Sequence, residues 1–367
     1  MVELYTAICV QANRRGVGHR SEIREANLNQ CLNLIDFVFR RMDFPVYAPV
    51  KLILLPEVFM QGWCRSADNY WEKVGRDIAI QIPGEETDLL AEKARKYKTY
   101  IAGTAHELVP GFGSKLPFNC AFIISPEGEV VYKYHKYHPY LPYTGPDDIS
   151  PHDVYDKYLE VMDGKYGRKK GDVLSCFFPV IDTDIGRIGY IICNDGFYFE
   201  SSRAMGIQGC ELMMRSSGIL EPESSPPQQA WEICNRAMAF YNMMFVVACG
   251  PGDYIIEKSP RNAAPGQSMI VDFHGALLQH VTYPGEAVTG TAINIEMLRK
   301  RRMDPKHNWI PQLRTEVFRE IYRKPIYPLN LYDKRIPATE RERVDEIPIQ
   351  RLVREGMLIP PGGSGSR

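Results

Sequence analysis

Short apolar runs alternate along this chain with longer stretches in which apolar residues recur at helical spacing, a pattern that predicts an α/β fold. Residues 4–10 predict a first strand. Residues 22–41 carry Leu28, Leu32, Leu34, Ile35 and Val38 at helical spacing and predict a helix. Residues 51–55 are an apolar run halted by Pro56, as expected of a short buried strand. A helix over 87–98 and a strand over 99–103 follow. The runs 119–124 and 130–134 flank Pro126-Glu127-Gly128 and predict a hairpin. After a turn at Gly186-Arg187 come strands over 188–192, 210–214 and 245–249, separated by helices over 200–208 and 228–242. A second hairpin over 269–273 and 276–280 surrounds His274-Gly275, and 292–295 is the last strand.

This alternation assigns residues 1–297 to one α/β domain, large but within single-domain sizes. Beyond Met297 the pattern changes: Arg299 to Arg302 is basic, and Pro305, Pro311, Pro325 and Pro328 interrupt any helical period. Residues 298–367 hold too few apolar periods for a core of their own. They are expected to form an extension packed on the body or on a neighbouring subunit.

Charge narrows the choice of partner. Lys and Arg number 44 and Asp and Glu 45, for a net charge of -1. No basic excess argues for nucleic acid, so a small, weakly charged partner is expected. The N-terminus lacks a basic segment followed by a long apolar run, and no window of about 18 apolar residues occurs, so neither a secretory leader nor a membrane span is expected. The nine cysteines are odd in number and scattered, mostly in apolar runs, with no Cys-x-x-Cys. That usage fits reduced, buried thiols in a cytoplasmic protein and gives no support for structural zinc.

Three segments place an ionisable residue at the end of an apolar strand, where α/β sheets expose their sites. Leu54-Leu55-Pro56-Glu57 puts a carboxylate directly after a buried strand, where partial desolvation suits a general acid or base. A strand-ending glutamate that caps a loop is the structural alternative. Lys133-Tyr134-His135-Lys136-Tyr137-His138-Pro139 reads either as a solvated sheet edge or, with its interleaved aromatics, as a segment whose ammonium stabilises an oxyanion. Ile191-Ile192-Cys193-Asn194-Asp195-Gly196 is a strand, a nucleophile-type residue and a turn before a helix, similar in logic to the elbow that exposes a serine nucleophile. A buried structural cysteine is the alternative there. His135 and His138 stand at i, i+3 without an evident third ligand, so no metal is expected.

Together these segments resemble the nitrilase superfamily of carbon–nitrogen hydrolases, whose catalytic set runs Glu, Lys, Cys in chain order, as Glu57, Lys136 and Cys193 do here. Gly189 to Asp195 is similar to its cysteine signature, and Tyr132 to Pro139 to its lysine segment. Asn119, the 209–215 run and Gly266 to Asp272 also fit, so the resemblance spans residues 4–297. Lys136 to Pro142, Cys193 to Gly196 and Met213 to Gly218 are most similar to aliphatic amidases and formamidases. The resemblance implies a four-layer αββα sandwich with a C-terminal extension. It implies a homo-oligomer built from dimers that pair through helices near the cysteine. It also implies a cysteine thioester route from a small-molecule amide to carboxylate and ammonia, without a cofactor, with the Asn194 amide at the oxyanion.

One departure bears on the substrate. Those amidases carry a second glutamate shortly after the lysine, where this chain has Thr144, with Asp147 and Asp148 only later. Tyr158-Leu159-Glu160 is similar to the second-glutamate segment of N-carbamoyl amino acid amidohydrolases, so Glu160 either fills that role or the role is absent. An N-carbamoyl amino acid amidohydrolase and a nitrilase using the same triad therefore remain alternatives, as does a binding protein on a decayed hydrolase fold. Tyr143 and Phe197 are candidate pocket residues. Arg215 would either pair a substrate carboxylate or stabilise subunit packing. Residues 149–172 are expected to be a long loop that narrows the pocket.

Overall fold

The computed structural model describes residues 1–41, 48–62, 70–112, 117–140, 149–218, 229–255, 266–332 and 347–362. Strands β1 (Tyr5–Gln11), β2 (Val50–Leu54), β3 (Tyr100–Leu108), β4 (Pro117–Ile124) and β5 (Val130–His135) come from the first part of the chain. The second part supplies β6 (Ile181–Thr183), β7 (Gly186–Ile192), β8 (Leu212–Ser216), β9 (Phe245–Cys249), β10 (Met269–Val271), β11 (Leu277–His280) and β12 (Ala287–Ile293). They form two six-stranded sheets, ordered β12-β1-β2-β3-β4-β5 and β11-β10-β9-β8-β7-β6. In each sheet the central strands run parallel, β1 with β2 and β3, and β7 with β8 and β9. Antiparallel strands complete the edges.

Helices cover the outer faces. Helix α1 (Asn29–Arg41) buries Cys31, Leu32, Ile35 and Val38 against the first sheet, as its 3.6-residue period requires. Its Asp36 turns instead to Lys93 and Tyr97 of the neighbouring α2 (Glu85–Tyr97). Acidic Glu85, Glu86 and Asp88 open α2 and basic Arg95 and Lys96 close it, matching the helix dipole at both ends. Helices α4 (Phe199–Ile207) and α5 (Ala230–Asn242) cover the second sheet, Met205, Met238 and Ala239 packing inward. Between the sheets lies a core that includes Leu52, Leu54, Ile191, Met213 and Val247, all fully buried. Each such side chain contributes roughly 1.5–3 kcal/mol relative to exposure. The result is the four-layer αββα order expected above. No helix among the described residues is long and apolar enough to cross a membrane.

Three expectations change. The strand expected over 99–103 continues to Leu108, because every residue of β3 up to Glu107 finds a buried place. The last strand is β12, and Ile295 already opens helix α6 (Ile295–Arg302), capped by the Asn294 side chain on the Met297 amide at 2.9 Å. Residues 149–172 are not a bare loop: they hold α3 (Tyr155–Met162), whose Tyr158 and Met162 are buried with Phe112, Phe118 and Phe177. Helix α6 is tied to the body, Arg299 gripping the Glu211 carboxylate at 2.7 and 2.9 Å. Further on, the Tyr332 amide donates to Asp153 O at 2.9 Å, so the extension returns to the body beside α3.

Candidate active site

Strands β2, β7 and β8 all end at one edge of the sandwich, and the residues just past their carboxyl ends meet there. After β2 the main chain at Glu57 is clamped from three sides. The Glu57 amide donates to Ser217 O at 3.2 Å, its carbonyl accepts from Arg14 Nη1 at 2.6 Å, and the next amide, of Val58, donates to Thr104 Oγ1 at 2.6 Å. A relay crosses the core to the same turn: the Tyr190 hydroxyl meets Ser216 Oγ at 2.5 Å, and Ser216 donates to Leu55 O at 2.6 Å. The Glu57 side chain is thereby fixed in a fully buried position.

Two donors converge on one carboxylate oxygen. Glu57 Oε1 accepts from Lys136 Nζ at 2.9 Å and from Asn119 Nδ2 at 2.8 Å. The ammonium and the carboxylate are 1% and 0% exposed, so their attraction works in a medium of low dielectric. The other oxygen, Oε2, is buried and has no hydrogen-bond partner among the described residues, a position suited to taking a proton.

Cys193 follows β7 and sits at φ +46°, in the left-handed region that a non-glycine residue enters at a cost of about 1 kcal/mol. Such a turn turns the side chain out of the strand direction, as an exposed nucleophile needs. Its main-chain carbonyl accepts twice from Arg215, from Nε at 3.0 Å and from Nη2 at 2.7 Å. Arg215 is itself fully buried between the rings of Trp231 (4.2 Å) and Phe197 (4.8 Å), and its Nη1 donates to Asn235 Oδ1 at 2.9 Å. Gly196 makes room for it, since a Cβ there would lie 2.1 Å from the Arg215 guanidinium carbon. Asp195 then joins the cysteine turn to the lysine segment. One carboxylate oxygen accepts from the Tyr134 hydroxyl (2.8 Å) and the Ile192 amide (3.1 Å), the other from the His138 amide (2.7 Å).

Burial, then the Glu57 charge, push the Cys193 thiol up to about 11, against the opposing pull of Lys136, the Ser217 hydroxyl and Arg215. The sulfur is therefore protonated at neutral pH, and attack requires a base. Arg14, lowered to about 10 by burial, stays charged and adds a cation behind Glu57.

The structure thus brings Glu57, Lys136 and Cys193 together. Asn194 adjoins them, with its side chain donating to the carbonyls of His138 and Pro139 at 3.2 and 3.3 Å. Phe197 is 39% exposed at the rim. Tyr143, with Thr144, Asp147 and Asp148, lies outside the described residues. Glu160 is not brought in: its side chain is 70% exposed on α3 and is paired with Lys157 at 3.0 Å. Arg215 is engaged by the Cys193 carbonyl and by Asn235 within its own chain, which weighs against its reading as a partner for a substrate carboxylate. Arg14, Asp195 and Ser217 were missed. Asp195, two residues after the cysteine and buried by its turn, carried a signal; Arg14 in Asn13-Arg14-Arg15 reads as surface.

Beneath α3, on the outer face of the first sheet, a second buried network forms. Arg168 Nη2 donates to the Tyr158 hydroxyl at 2.9 Å, that hydroxyl meets His135 Nδ1 at 2.8 Å, and His135 Nε2 meets Glu107 Oε2 at 3.1 Å. Lys133 pairs with the other Glu107 oxygen. Glu107, Cys120 and His135 lie near enough together to hold a metal ion, but here the ammonium and the hydroxyl already engage two of the three.

The carbon-nitrogen hydrolase family profile matches residues 6–303 of this chain. The chain is 29% identical over 208 residues to a formamidase from Bacillus cereus (strain B4264), covering 57% of this chain and 52% of that protein. It is 29% identical over 247 residues to a formamidase from Helicobacter acinonychis (strain Sheeba), covering 66% of this chain and 62% of that one. It therefore spans between about half and three-fifths of these relatives' length. Among solved structures, a carbon-nitrogen hydrolase from Helicobacter pylori G27 superposes with TM-score 0.63 at 20% identity, covering 88% of this chain and all (100%) of that one. An amidase mutant from Nesterenkonia sp. AN1, with the acetamide moiety of fluoroacetamide covalently added at its active-site cysteine, gives 0.61 at 15% identity, covering 86% and 96%.

Proposed function

The chain belongs to the carbon-nitrogen hydrolase family, and from that premise we propose that it hydrolyses the C–N bond of a small non-peptide amide to a carboxylate and ammonia through a thioester on Cys193. The observation that carries the reading is the buried Lys136–Glu57 pair, 2.9 Å apart, beside a cysteine held at φ +46°. Glu57 takes the thiol proton as the sulfur attacks the amide carbonyl, and gives it to the departing amine. Lys136 and the Asn194 main-chain amide hold the oxyanion. Water, deprotonated by Glu57, then releases the acid. The formamidase relatives support an amide substrate, and the exposed position of Glu160 weighs against a carbamoyl substrate.

The test is ammonia release from formamide, acetamide, propionamide, an N-carbamoyl amino acid and a simple nitrile, with Cys193→Ala as control. Release from an amide that vanishes in the control supports the reading; release from the variant at the wild-type rate ends it. We infer further that two copies pair over α4 and α5, which expose Phe199, Ile207, Ile233 and Phe240. A monomer in sedimentation at micromolar concentration would contradict that pairing.

A further inference from the structure

Ser217 stands immediately after β8 and is fully buried. It touches both halves of the site. Its carbonyl accepts the Glu57 amide at 3.2 Å, its own amide donates to Cys249 O at 2.9 Å, and its hydroxyl donates to Cys193 Sγ at 3.4 Å. The two main-chain bonds fix the residue between the sheets, so the hydroxyl is presented to the sulfur from a rigid element. The cations near the sulfur are otherwise engaged: Lys136 bonds Glu57, Arg215 bonds the Cys193 carbonyl, and Arg14 bonds the Glu57 carbonyl.

We propose that Ser217 is a catalytic donor, its hydroxyl holding the Cys193 sulfur as a thiolate each time the reaction produces one. The inference rests on Cys193 being the nucleophile. In acylation the thiol proton moves to Glu57, the sulfur pair forms the S–C bond, and the carbonyl π pair moves to oxygen. Collapse breaks the C–N bond, and the amine leaves with the proton from Glu57. In deacylation water gives its proton to Glu57 and forms the C–O bond. The C–S bond then breaks, the pair returns to sulfur, and Glu57 returns the proton. Negative charge grows on sulfur once on the way in and once on the way out, and a hydrogen bond to a charged acceptor is stronger than one to the neutral thiol.

The experiment measures alkylation of Cys193 by iodoacetamide across pH in the full chain, followed by mass spectrometry of the Cys193 peptide, in wild type, Ser217→Ala and Ser217→Thr. Ser217→Ala keeps both main-chain bonds and removes only the hydroxyl. It is expected to lower the rate at pH 7 by about tenfold and to move the pH profile upward. With the amide substrate, kcat and kcat/KM are expected to fall together by a similar factor. Ser217→Thr retains the hydroxyl and should recover most of the wild-type rate. A Ser217→Ala profile that superposes on wild type overturns the inference, as does an equal shift in the Ala and Thr variants, while fast alkylation leaves the nucleophile reading standing. If Cys193 in wild type reacts no faster than the buried thiols, both readings fail together.

Discussion

The guanidinium of Arg215 donates two hydrogen bonds to the main-chain carbonyl of Cys193, at 3.0 and 2.7 Å. An arginine is held by its planar fork here, so the bond pair fixes the direction of the carbonyl as well as its position. A third bond to Asn235 and the rings of Trp231 and Phe197, at 4.2 and 4.8 Å from the guanidinium carbon, hold the rest of the group. These contacts tie it to the left-handed turn at Cys193.

Arg215→Lys therefore tests positioning against substrate binding. A lysine reaches at most one of these acceptors in the same geometry and leaves the others buried without a donor, at about 1–3 kcal/mol each. Turnover is expected to fall about 100-fold with acetamide and with an acidic amide such as succinamate alike. The ratio of the two kcat/KM values is the informative number. If only the acidic amide is lost, Arg215 binds substrate after all.

Lys136 faces the same carboxylate oxygen as Asn119, so in the proposed mechanism its removal leaves Glu57 with one fewer donor and the oxyanion with one fewer cation. Lys136→Met is expected to lower kcat by about 100- to 1000-fold. Because Lys136 also pulls the Cys193 thiol downward, alkylation of Cys193 at pH 7 should slow as well. A variant that loses turnover but keeps wild-type alkylation would assign Lys136 to the oxyanion alone.

The network under α3 predicts acid sensitivity. Burial lowers His135 to about 4, below the usual 6.5 of an unfolded histidine. Between these values the unfolded chain takes up a proton that the native protein refuses, so stability is complete above pH 6.5 and falls as the pH drops toward 4. At pH 5 the loss from this group is about 2 kcal/mol. Burial acts to raise Glu107, but the His135 hydrogen bond and the Lys133 charge outweigh it and hold it below the usual carboxylate range. Its contribution is lost at still lower pH. Urea unfolding at pH 7.5 and 5.0 measures the difference, which should shrink in His135→Gln. It should not vanish there, because burial lowers His152 and His280 too. Equal stability of the wild type at both pH values sinks the argument.

The sequence made legible what period and order encode. Alternating apolar runs located most strands to within a few residues, and three ionisable residues at strand ends marked the proposed triad, because a charged side chain just after a buried strand needs a partner. Long-range pairing was not legible. Nothing local distinguishes Arg14, which meets a carbonyl 43 positions away, or Ser217, which meets a sulfur 24 positions back. Helix α3 is only 8 residues long and gives a short signal, although Tyr155, Tyr158, Leu159 and Met162 recur at helical spacing. The resemblance that drew Glu160 toward the site was a matter of neighbouring residues, and tertiary packing turned that face of the helix outward while Tyr158 took the buried side.

Glu160 supplies the last prediction. Its side chain is 70% exposed, and its partner Lys157 is 43% exposed, one helical turn away on the same surface. Such a pair contributes at most about 1 kcal/mol, and screening by salt reduces it further. Glu160→Gln is accordingly expected to leave kcat and KM for the amide within about twofold of wild type and to change stability by less than about 1 kcal/mol. Glu57→Gln, assayed beside it, removes the proposed base and should abolish turnover, because a protonated thiol cannot attack unaided. A tenfold or greater loss of kcat in Glu160→Gln would mean that α3 moves on substrate binding and carries the carboxylate into the site.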